Sequence, residues 1–507
     1  MTALDTALDP RSPGYLERRS ATLERLTELD AALEQACAGG GEKAVTRHHA
    51  RGKLLPRERV EMLLDQDSPF LELAPVAAWG TGFPVGAGVV TGIGVVEGVE
   101  CVIVANDPTV AGAAGNPYTL AKIRRAARIS SVNRLPLVSL VESAADDAPQ
   151  RRAPDGGIAR DLSRLAADRV PTVCVVFGPT TGDAAYLPAL SDYTIMVRGH
   201  AKMLTIHPQP VRGGAGGGSG PEVRSAPTVP AGVTGPADHL AEDERDGLRL
   251  ARQCVRRLNW HKRGPLPRTV PPVAPRYDPS ELLTMAAAGL STLFDPREVL
   301  ARILDGSDFD EFKPAPGTAL VAGWGELHGY PIGVLANVGA PFTSAETQKA
   351  VHFIQLANAA DTALLFLRHA GDAGPEEHAA PLVHALAKSR VPHLVLLIGG
   401  ARRARGTDEP RFVFSWPAET RTTDPRTTDP RTTDTRTTDP QTTDPRTTDT
   451  RTADTKKAEI KDAKSDDGVI DPRDTRTVLG LCLSAVHSAA VEGAGHVGVF
   501  RPGKVDQ

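Results

Sequence analysis

The sequence contains few cysteines, and their spacing does not fit a metal-binding motif. The 507 residues include five cysteines, scattered without a C-x-x-C pair: Cys37, Cys101, Cys174, Cys254 and Cys482. This scarcity argues against a zinc ribbon and a disulfide framework, and it predicts a reducing, cytoplasmic environment. We expect each cysteine to be a small buried apolar residue. The histidines, His207 among them, also lack metal-ligand spacing, so we expect no bound metal.

Long apolar runs and an excess of one charge are absent as well. No uninterrupted apolar stretch approaches the roughly 20 residues that a membrane span requires, and residues 1–19 lack the apolar core of a secretory signal. The 58 basic and 62 acidic residues give a net charge of −4. We therefore expect neither nucleic acid nor a membrane as a partner. The length exceeds what one hydrophobic core usually supports, which predicts at least two domains.

Apolar periodicity predicts an α/β protein whose first element is a helix. Four leucines follow helical spacing within residues 15–36. From residue 68 onward, short β-rich runs alternate with helical segments. The run VVTGIGVVEGVECVIVAND at 89–107 predicts a β-hairpin that turns at Gly98. Strands that alternate with helices are typical of an α/β domain.

Three segments of the first half of the chain recur in the same order in the second half. The matching pairs are SPFLEL (68–73) with SDFDEF (307–312), TGIGVVEGVECVIVAN (91–106) with AGWGELHGYPIGVLAN (322–337), and RVPTVCVVFG (169–178) with RVPHLVLLIG (390–399). An ordered recurrence of this kind indicates a duplicated domain. We therefore expect Val102–Ala105 and Val334–Ala336 to lie in equivalent strands.

Composition and the repeat divide the chain into segments. We expect an N-terminal helical segment at 1–66, a first domain at 67–265, a proline-rich linker at 266–280 and a second domain at 281–507. Residues 418–465 of the second domain are a low-complexity insert of R/Q-T-T-D-P/T pentads with almost no apolar residue. We expect this insert to be disordered, and we favour a recent expansion without function over a binding tail.

The order of several long motifs resembles the carboxyltransferase (β) subunits of biotin-dependent acyl-CoA carboxylases. The segments that carry the resemblance are 53–73, 88–110, 133–143, 184–199, 294–314, 326–337, 348–367, 408–417 and 467–485. They are similar to the methylcrotonyl-CoA and propionyl-CoA carboxylase branch rather than to the branch with a zinc ribbon. The resemblance covers nearly the whole chain apart from 212–235 and 418–465.

This resemblance implies a fold, a reaction and partners. Each half is expected to be a crotonase-like (ClpP/crotonase) β/α superhelical domain. The implied reaction transfers a carboxyl group from carboxybiotin to an acyl-CoA. The biotin would not be bound covalently by this chain, because in the family it sits on a separate biotin carboxylase and biotin carrier (α) subunit. The β subunits of the family assemble as hexamers, so a homo- or hetero-oligomer is expected here.

The implied reaction creates two oxyanions, one on the biotin ureido group and one on the acyl-CoA enolate. Backbone N–H groups in tight turns can stabilise such charges without a side-chain charge. The resemblance assigns the first oxyanion turn to Asp183 and Ala184, which replace the paired glycines of relatives. It assigns acyl-CoA binding to Ser143, Ala144, Ala145, Ala185 and Tyr186, where relatives have E-S-G-G in place of Glu142-Ser143-Ala144-Ala145.

The resemblance places the second oxyanion turn at Gly399, Gly400 and Ala401, where the sequence departs further from relatives. The glycine-rich segment that follows in relatives is replaced by RRARGTDE, with Arg402, Arg403 and Arg405 nearby. Three hypotheses therefore remain. The chain is a carboxyltransferase of low or altered activity, a non-catalytic β-like subunit or decaying paralogue, or, less favoured, a hydratase-like enzyme. Neither half shows the suitably placed glutamate pair that the third hypothesis requires.

The pentad insert generates the first testable prediction. Its residues cannot bury enough apolar surface to offset roughly 1–2 kcal/mol of backbone entropy per residue. Limited trypsin digestion should therefore cut first between Arg421 and Arg451, as mass spectrometry of the early fragments would show. Slow amide exchange across this segment would contradict the prediction.

Overall fold

The computed structural model describes twelve stretches of the chain. They are residues 2–111, 116–143, 157–180, 182–203, 237–260, 271–286, 295–315, 317–338, 343–369, 376–401, 410–418 and 466–487. The pentad insert lies outside the described residues, except for its first position. Among the described helices, none is both long and apolar enough to cross a membrane.

The strands are numbered in chain order. They are β1 Thr2–Ala3, β2 Phe70–Glu72, β3 Val89–Val96, β4 Val99–Asn106, β5 Leu137–Val141, β6 Thr172–Val176, β7 Pro179–Thr180, β8 Tyr193–Val197, β9 Lys202–Met203, β10 His239–Ala241, β11 Asp308–Glu311, β12 Leu320–Leu327, β13 Tyr330–Asn337, β14 Ala363–His369, β15 His393–Ile398, β16 Phe412–Ser415 and β17 Gly468–Val469.

The helices follow the same convention. They are α1 Pro13–Cys37, α2 Glu42–His49, α3 Pro56–Leu63, α4 Pro117–Asn133, α5 Gly157–Ala167, α6 Tyr186–Ala189, α7 Glu244–Arg257, α8 Leu282–Ala286, α9 Pro296–Ile303, α10 Ser344–Ala359, α11 Glu376–Lys388 and α12 Thr475–His487. Short 3₁₀ turns lie at Gly182–Ala185, Pro279–Glu281, Asp305–Ser307 and Pro472–Asp474.

Two sheets of the same topology confirm the duplication. The first sheet has the order β10-β8-β6-β5-β4-β3-β2, and the second has β11-β12-β13-β14-β15-β16-β17 with β1 added at its edge. In each sheet an antiparallel three-stranded part continues into parallel strands. Val102–Ala105 lies in β4 and Val334–Ala336 lies in β13, which hold the same place in the two sheets. The domain boundaries themselves stay predictions.

The recurring glycine pattern has a packing cause. A Cβ atom on Gly92 would lie 2.4 Å from the Phe70 ring, and one on Gly323 would lie 2.5 Å from the Phe309 ring. No real Cβ contact is this short, so both positions require glycine. The two phenylalanines belong to the recurring SPFLEL and SDFDEF segments, which explains why the segments recur together with the glycines.

In each half an aspartate joins the first hairpin turn to the last helix, and we call this set of contacts the aspartate clamp. Asp65 accepts hydrogen bonds from the N–H groups of Glu97 and Gly98 in the β3–β4 turn, at 2.8 and 2.7 Å. Arg252 of α7 donates to the same carboxylate at 2.9 Å. In the second half, Asp305 accepts from the N–H groups of the β12–β13 turn at 2.9 and 2.8 Å, and Arg476 of α12 donates to it at 2.7 Å. The duplication therefore extends to individual charged contacts.

A buried lysine recurs in the same way. Lys122 of α4 donates to the carbonyl oxygens of Gly86 and Val89, and Lys349 of α10 donates to those of Gly317 and Leu320. Burial lowers the pKa of Lys122 to about 8, and it also lowers the pKa of Lys349. Each lysine thus ties the first crossover helix to the loop before the first hairpin strand.

The structure corrects one sequence expectation and adds a strand to the N-terminal segment. Before its three helices, the segment 1–66 holds β1, which pairs antiparallel with β11, at Thr2 opposite Phe309. A two-residue strand has no periodicity that a sequence pattern could reveal. Among the cysteines, Cys37 is exposed, whereas the other four are buried as expected. Cys37 ends α1 on the solvent side.

A buried carboxylate joins the two halves. Arg125 of α4 donates to both carboxylate oxygens of Asp467, each at 2.7 Å, and to the carbonyl oxygen of Arg411 at 2.9 Å. Asp467 also accepts the N–H of Val413 at 2.8 Å, and its side chain is 0% exposed. The first crossover helix of one half is therefore joined directly to the last strands of the other.

This joint generates the second prediction. Asp467→Asn should lower the free energy of unfolding by about 2–4 kcal/mol, because it leaves Arg125 without its charged partner. Urea denaturation of the full chain measures this change. The exposed pair Arg198–Glu242 provides the control, and Glu242→Gln should change stability by less than about 0.5 kcal/mol. Equal effects of the two substitutions would contradict the prediction.

Candidate active site

The parallel strands of the first sheet end beside a cleft of about 390 Å³. The carboxyl ends of parallel strands meet at one edge of a sheet, and ligands commonly bind there. The residues lining the cleft are His48, Arg51, Lys53, Pro108, Glu142, Pro179, Gly199 and His200. Five of them follow the strands β4, β5, β6 and β8, and the other three belong to the segment before the first sheet. Residues at the sheet edge and residues of the segment before the first sheet therefore both line the cleft.

Basic side chains dominate the charge of this cleft. Arg51 and Lys53 bring positive charge, and His48 and His200 bring imidazoles, against the single carboxylate of Glu142. Arg51 and His200 are exposed, whereas Lys53 is largely buried and forms an ion pair with Glu142. A cleft with this composition suits an anionic ligand such as a phosphate group.

Below the cleft floor lies a buried cluster of charges. Arg59 of α3 donates to Glu142 at 2.6 Å and to Glu244 at 2.7 and 2.9 Å, and its side chain is 0% exposed. Its guanidinium also lies 4.2 Å from the centre of the Phe177 ring. Burial alone would raise the pKa of the Glu142 carboxyl, but the charges of Arg59 and Lys53 hold it below its ordinary value. Glu142 therefore remains ionised at neutral pH.

The structure places most of the predicted residues of the first half on this same edge. Ser143 is buried and follows Glu142 directly after β5. Asp183, Ala184 and Ala185 form the 3₁₀ turn that follows β6 and β7, and Tyr186 begins α6. Ala184 and Tyr186 pack against the hydrophobic core. Ala144 and Ala145 lie outside the described residues, and so their role stays a prediction.

The predicted residues of the second half lie on the other sheet. Gly399 and Gly400 follow β15 with φ angles of 64° and 74°, and Ala401 closes the turn by donating its N–H to the Ile398 carbonyl at 3.3 Å. Positive φ angles favour glycine, and Gly400 is exposed whereas Gly399 is buried. The three arginines at 402, 403 and 405 lie outside the described residues. The two groups of predicted residues thus belong to two separate sheet edges.

Sequence reasoning did not assign the cleft residues His48, Arg51, Lys53 and His200, or the buried partners Arg59 and Glu244. The basic run RHHARGK at 47–53 was the one available signal. Its position over the sheet edge depends on tertiary structure, which a linear pattern does not show. Within the described residues, no group of three or more His, Cys, Asp or Glu side chains could hold a metal ion.

Comparison with known proteins identifies the family. The model of the carboxyl transferase domain matches residues 47–494. The chain belongs to the carboxyl transferase family. It is 44% identical to the probable biotin-dependent acyl-coenzyme A carboxylase beta2 subunit of Mycobacterium tuberculosis, over 98% of this chain and 100% of that one. It is 36% identical to the biotin-dependent 3-methylcrotonyl-coenzyme A carboxylase beta1 subunit of the same organism, over 94% and 96%.

A solved structure supports the same family assignment for this carboxyl transferase. The β subunit of geranyl-CoA carboxylase from Pseudomonas aeruginosa superposes with a TM-score of 0.76, at 31% identity, over 99% of this chain and 100% of that one. The expected fold of two tandem crotonase-like domains is therefore confirmed. The chain is a carboxyltransferase subunit of the acyl-CoA carboxylase type.

The buried His48 beside the cleft generates the third prediction. Burial lowers the pKa of His48, and this effect outweighs the opposing charge of Glu142. A histidine whose folded-state pKa lies below its unfolded-state value stabilises the fold only while it is neutral. Stability should therefore fall as the pH drops below about 6.5. His48→Gln, which cannot titrate, should lose less stability between pH 7 and pH 5 in urea denaturation. Identical pH slopes in the two proteins would contradict this prediction.

Proposed function

We propose that the first half of this carboxyltransferase binds an acyl-CoA in the basic cleft, with the CoA phosphates near Arg51, Lys53 and His200. The observation that carries the proposal is the position of the cleft, whose basic side chains share one sheet edge with Ser143. This arrangement suits a ligand with phosphate groups at one end and a thioester at the other. Tyr186 and Ala185 follow the neighbouring strand and would contact the acyl end.

The names of the relatives suggest the class of acyl group. One relative acts on 3-methylcrotonyl-CoA and another on geranyl-CoA. We propose that this chain takes an acyl-CoA of the same general kind. A panel of propionyl-CoA, 3-methylcrotonyl-CoA and geranyl-CoA covers a short saturated chain and both branched unsaturated ones.

The second half supplies a turn that fits a biotin-type ligand. Gly399 and Gly400 lack side chains, so the backbone of this turn can approach a planar ligand closely. Carboxybiotin, carried on a partner α subunit, supplies the activated carboxyl group. The N–H group of Gly400 would face the ureido oxygen, and those of Asp183 and Ala184 would face the thioester oxygen. The resemblance to β subunits that assemble as hexamers supports an oligomer in which two subunits complete each site.

Proton removal from the acyl-CoA leaves a negative charge on its thioester oxygen. The 3₁₀ turn at Gly182–Ala185 stabilises this charge through backbone N–H groups, which require no reorganisation during the reaction. Asp183 and Ala184 replace glycines of the family here, and the second turn continues into a different sequence. Loss of one such donor typically lowers kcat by about 10²–10³-fold. We therefore propose an enzyme with slow turnover.

The fourth prediction tests this function. The chain, assembled with a biotinylated α subunit, should carboxylate at least one acyl-CoA of the panel, measured as fixation of labelled bicarbonate. Against a typical enzyme turnover of about 10 s⁻¹, we expect about 0.1 s⁻¹ or less. Asp183→Gly with Ala184→Gly should not restore a normal rate, because the second turn is still altered. Turnover at the typical level in the unmodified protein would contradict the proposal that the two altered turns slow the reaction.

Binding is tested separately by calorimetric titration. Arg51→Ala should weaken acyl-CoA binding by about tenfold, the loss of one exposed charge-assisted contact of about 1.4 kcal/mol. Arg47→Ala is the matched control, because Arg47 is exposed on the same segment but does not line the cleft. Saturable binding without turnover would favour the non-catalytic β-like subunit. A flat titration with every acyl-CoA would refute the proposal.

A further inference from the structure

The second half of the chain serves as an internal control for the first half. Contacts that the fold itself requires appear in both halves, as the clamps at Asp65 and Asp305 and the lysines at 122 and 349 show. A further pair also recurs, since Arg57 binds Glu72 at 2.6 and 2.9 Å and Arg297 binds Glu311 at 2.6 and 3.0 Å. A charged contact found in one half alone is therefore not a requirement of the shared fold.

Within the part of the chain that the structure describes, the cluster below the cleft floor is found in the first half alone. By strand register, Glu142 of the first half is equivalent to His369 of the second half, because Leu140 and Leu367 pair with equivalent residues of β4 and β13. Counting from the recurring arginines of α3 and α9, Arg59 corresponds to Val299. The second half thus has neither a carboxylate nor an arginine at these two positions.

Burial in this cluster is nearly complete. The exposed fractions of the side chains are 0% for Arg59, 5% for Glu142, 7% for Glu244 and 11% for Lys53. Buried ion pairs are often no more stabilising than apolar residues of the same size, because desolvation offsets the attraction. A gain in stability therefore does not explain why the first half has this cluster, whereas a requirement to hold the main chain of the site in position does.

The cluster fixes the main chain at the site. Glu142 directly precedes Ser143, and Arg59 and Lys53 hold its carboxylate from two sides. The space on its third side is closed by the backbone of Gly178, where an added Cβ atom would lie 2.5 Å from the nearer Glu142 carboxylate oxygen. Lys53 also lines the cleft. It therefore connects the anchored carboxylate to the part of the cleft that suits an anion.

We propose that Glu142 is a positioning residue for carboxyl transfer, whose carboxylate, held by Arg59 and Lys53, sets the main chain at Ser143 beside the thioester. This inference rests on the proposed function, because it concerns the same acyl-CoA site. Glu142 does not contact the reacting atoms. It acts through the backbone that it holds in place, and Lys53 contacts both the Glu142 carboxylate and the ligand phosphates.

Kinetics of Glu142→Gln in the assembled enzyme provide the first test. Misplacement of a reacting group by about 1 Å costs on the order of 10²-fold in rate, so kcat should fall about 10- to 100-fold. The Kd for CoA itself should change less than about threefold, because Lys53 remains in the cleft. Glu298→Gln is the control, since Glu298 forms a partly buried pair with the fully buried Arg302 in the second half. That variant should lose stability but keep kcat.

Gly178→Ala is the second variant, and it leaves every charge in place. The added methyl group presses on the Glu142 carboxylate, so the same fall in kcat is expected. Unchanged kcat in the folded fraction of both Glu142→Gln and Gly178→Ala would overturn the inference. A fall in kcat with Glu298→Gln of the same size would also overturn it.

Amide hydrogen exchange tests the positioning independently of turnover. Glu142→Gln should speed exchange in the peptide that covers Leu137–Ser143, whereas Glu298→Gln should leave this peptide as in the wild type. If the wild type neither binds nor carboxylates any acyl-CoA, the proposed function fails, and the exchange result still decides whether Glu142 anchors this strand end. Equal exchange in Glu142→Gln and wild type refutes the anchor.

Discussion

A single carboxylate closes each half of the molecule, and most of the remaining structure depends on it. The hairpin turns at Glu97–Gly98 and His328–Gly329 have positive φ angles at both residues, although such angles are uncommon for residues other than glycine. Asp65 and Asp305 offset this cost because each accepts both N–H groups of its turn. The same carboxylate binds an arginine of the last helix in its half. The first hairpin and the last helix are therefore held at a fixed distance, and the parallel strands between them are aligned.

Duplication separates the requirements of folding from those of function. Both halves retain the aspartate clamp, the buried lysine and the glycine that accommodates a phenylalanine ring. The cluster around Arg59 is confined to the half with the basic cleft, and the glycine turn after β15 with two positive φ angles is confined to the other half. The two halves thus share a scaffold and differ at their carboxyl edges. This division is what a reaction with two dissimilar ligands requires.

The sequence predicted the fold well because its signals are local. The hairpin at 89–107 and the duplicated glycines follow from periodicity and turn residues. The candidate site was predicted less completely. Ser143 and the turns at 183–186 and 399–401 came from resemblance, whereas Arg59 and Glu244 are 185 positions apart and meet at 2.7 Å. No linear pattern indicates such a contact, because neither residue stands in a distinctive local motif.

The pairing of β1 with β11 has a consequence for the order of events during synthesis. Thr2 lies opposite Phe309, so this edge of the second sheet cannot form until about 300 further residues have been translated. At roughly 5–20 residues per second, that interval lasts about 15–60 s. The first sheet, by contrast, uses strands from Phe70 to Ala241 only. A nascent chain can therefore complete its first sheet while its earliest strand still awaits a partner, and that strand is open to incorrect pairing throughout the interval.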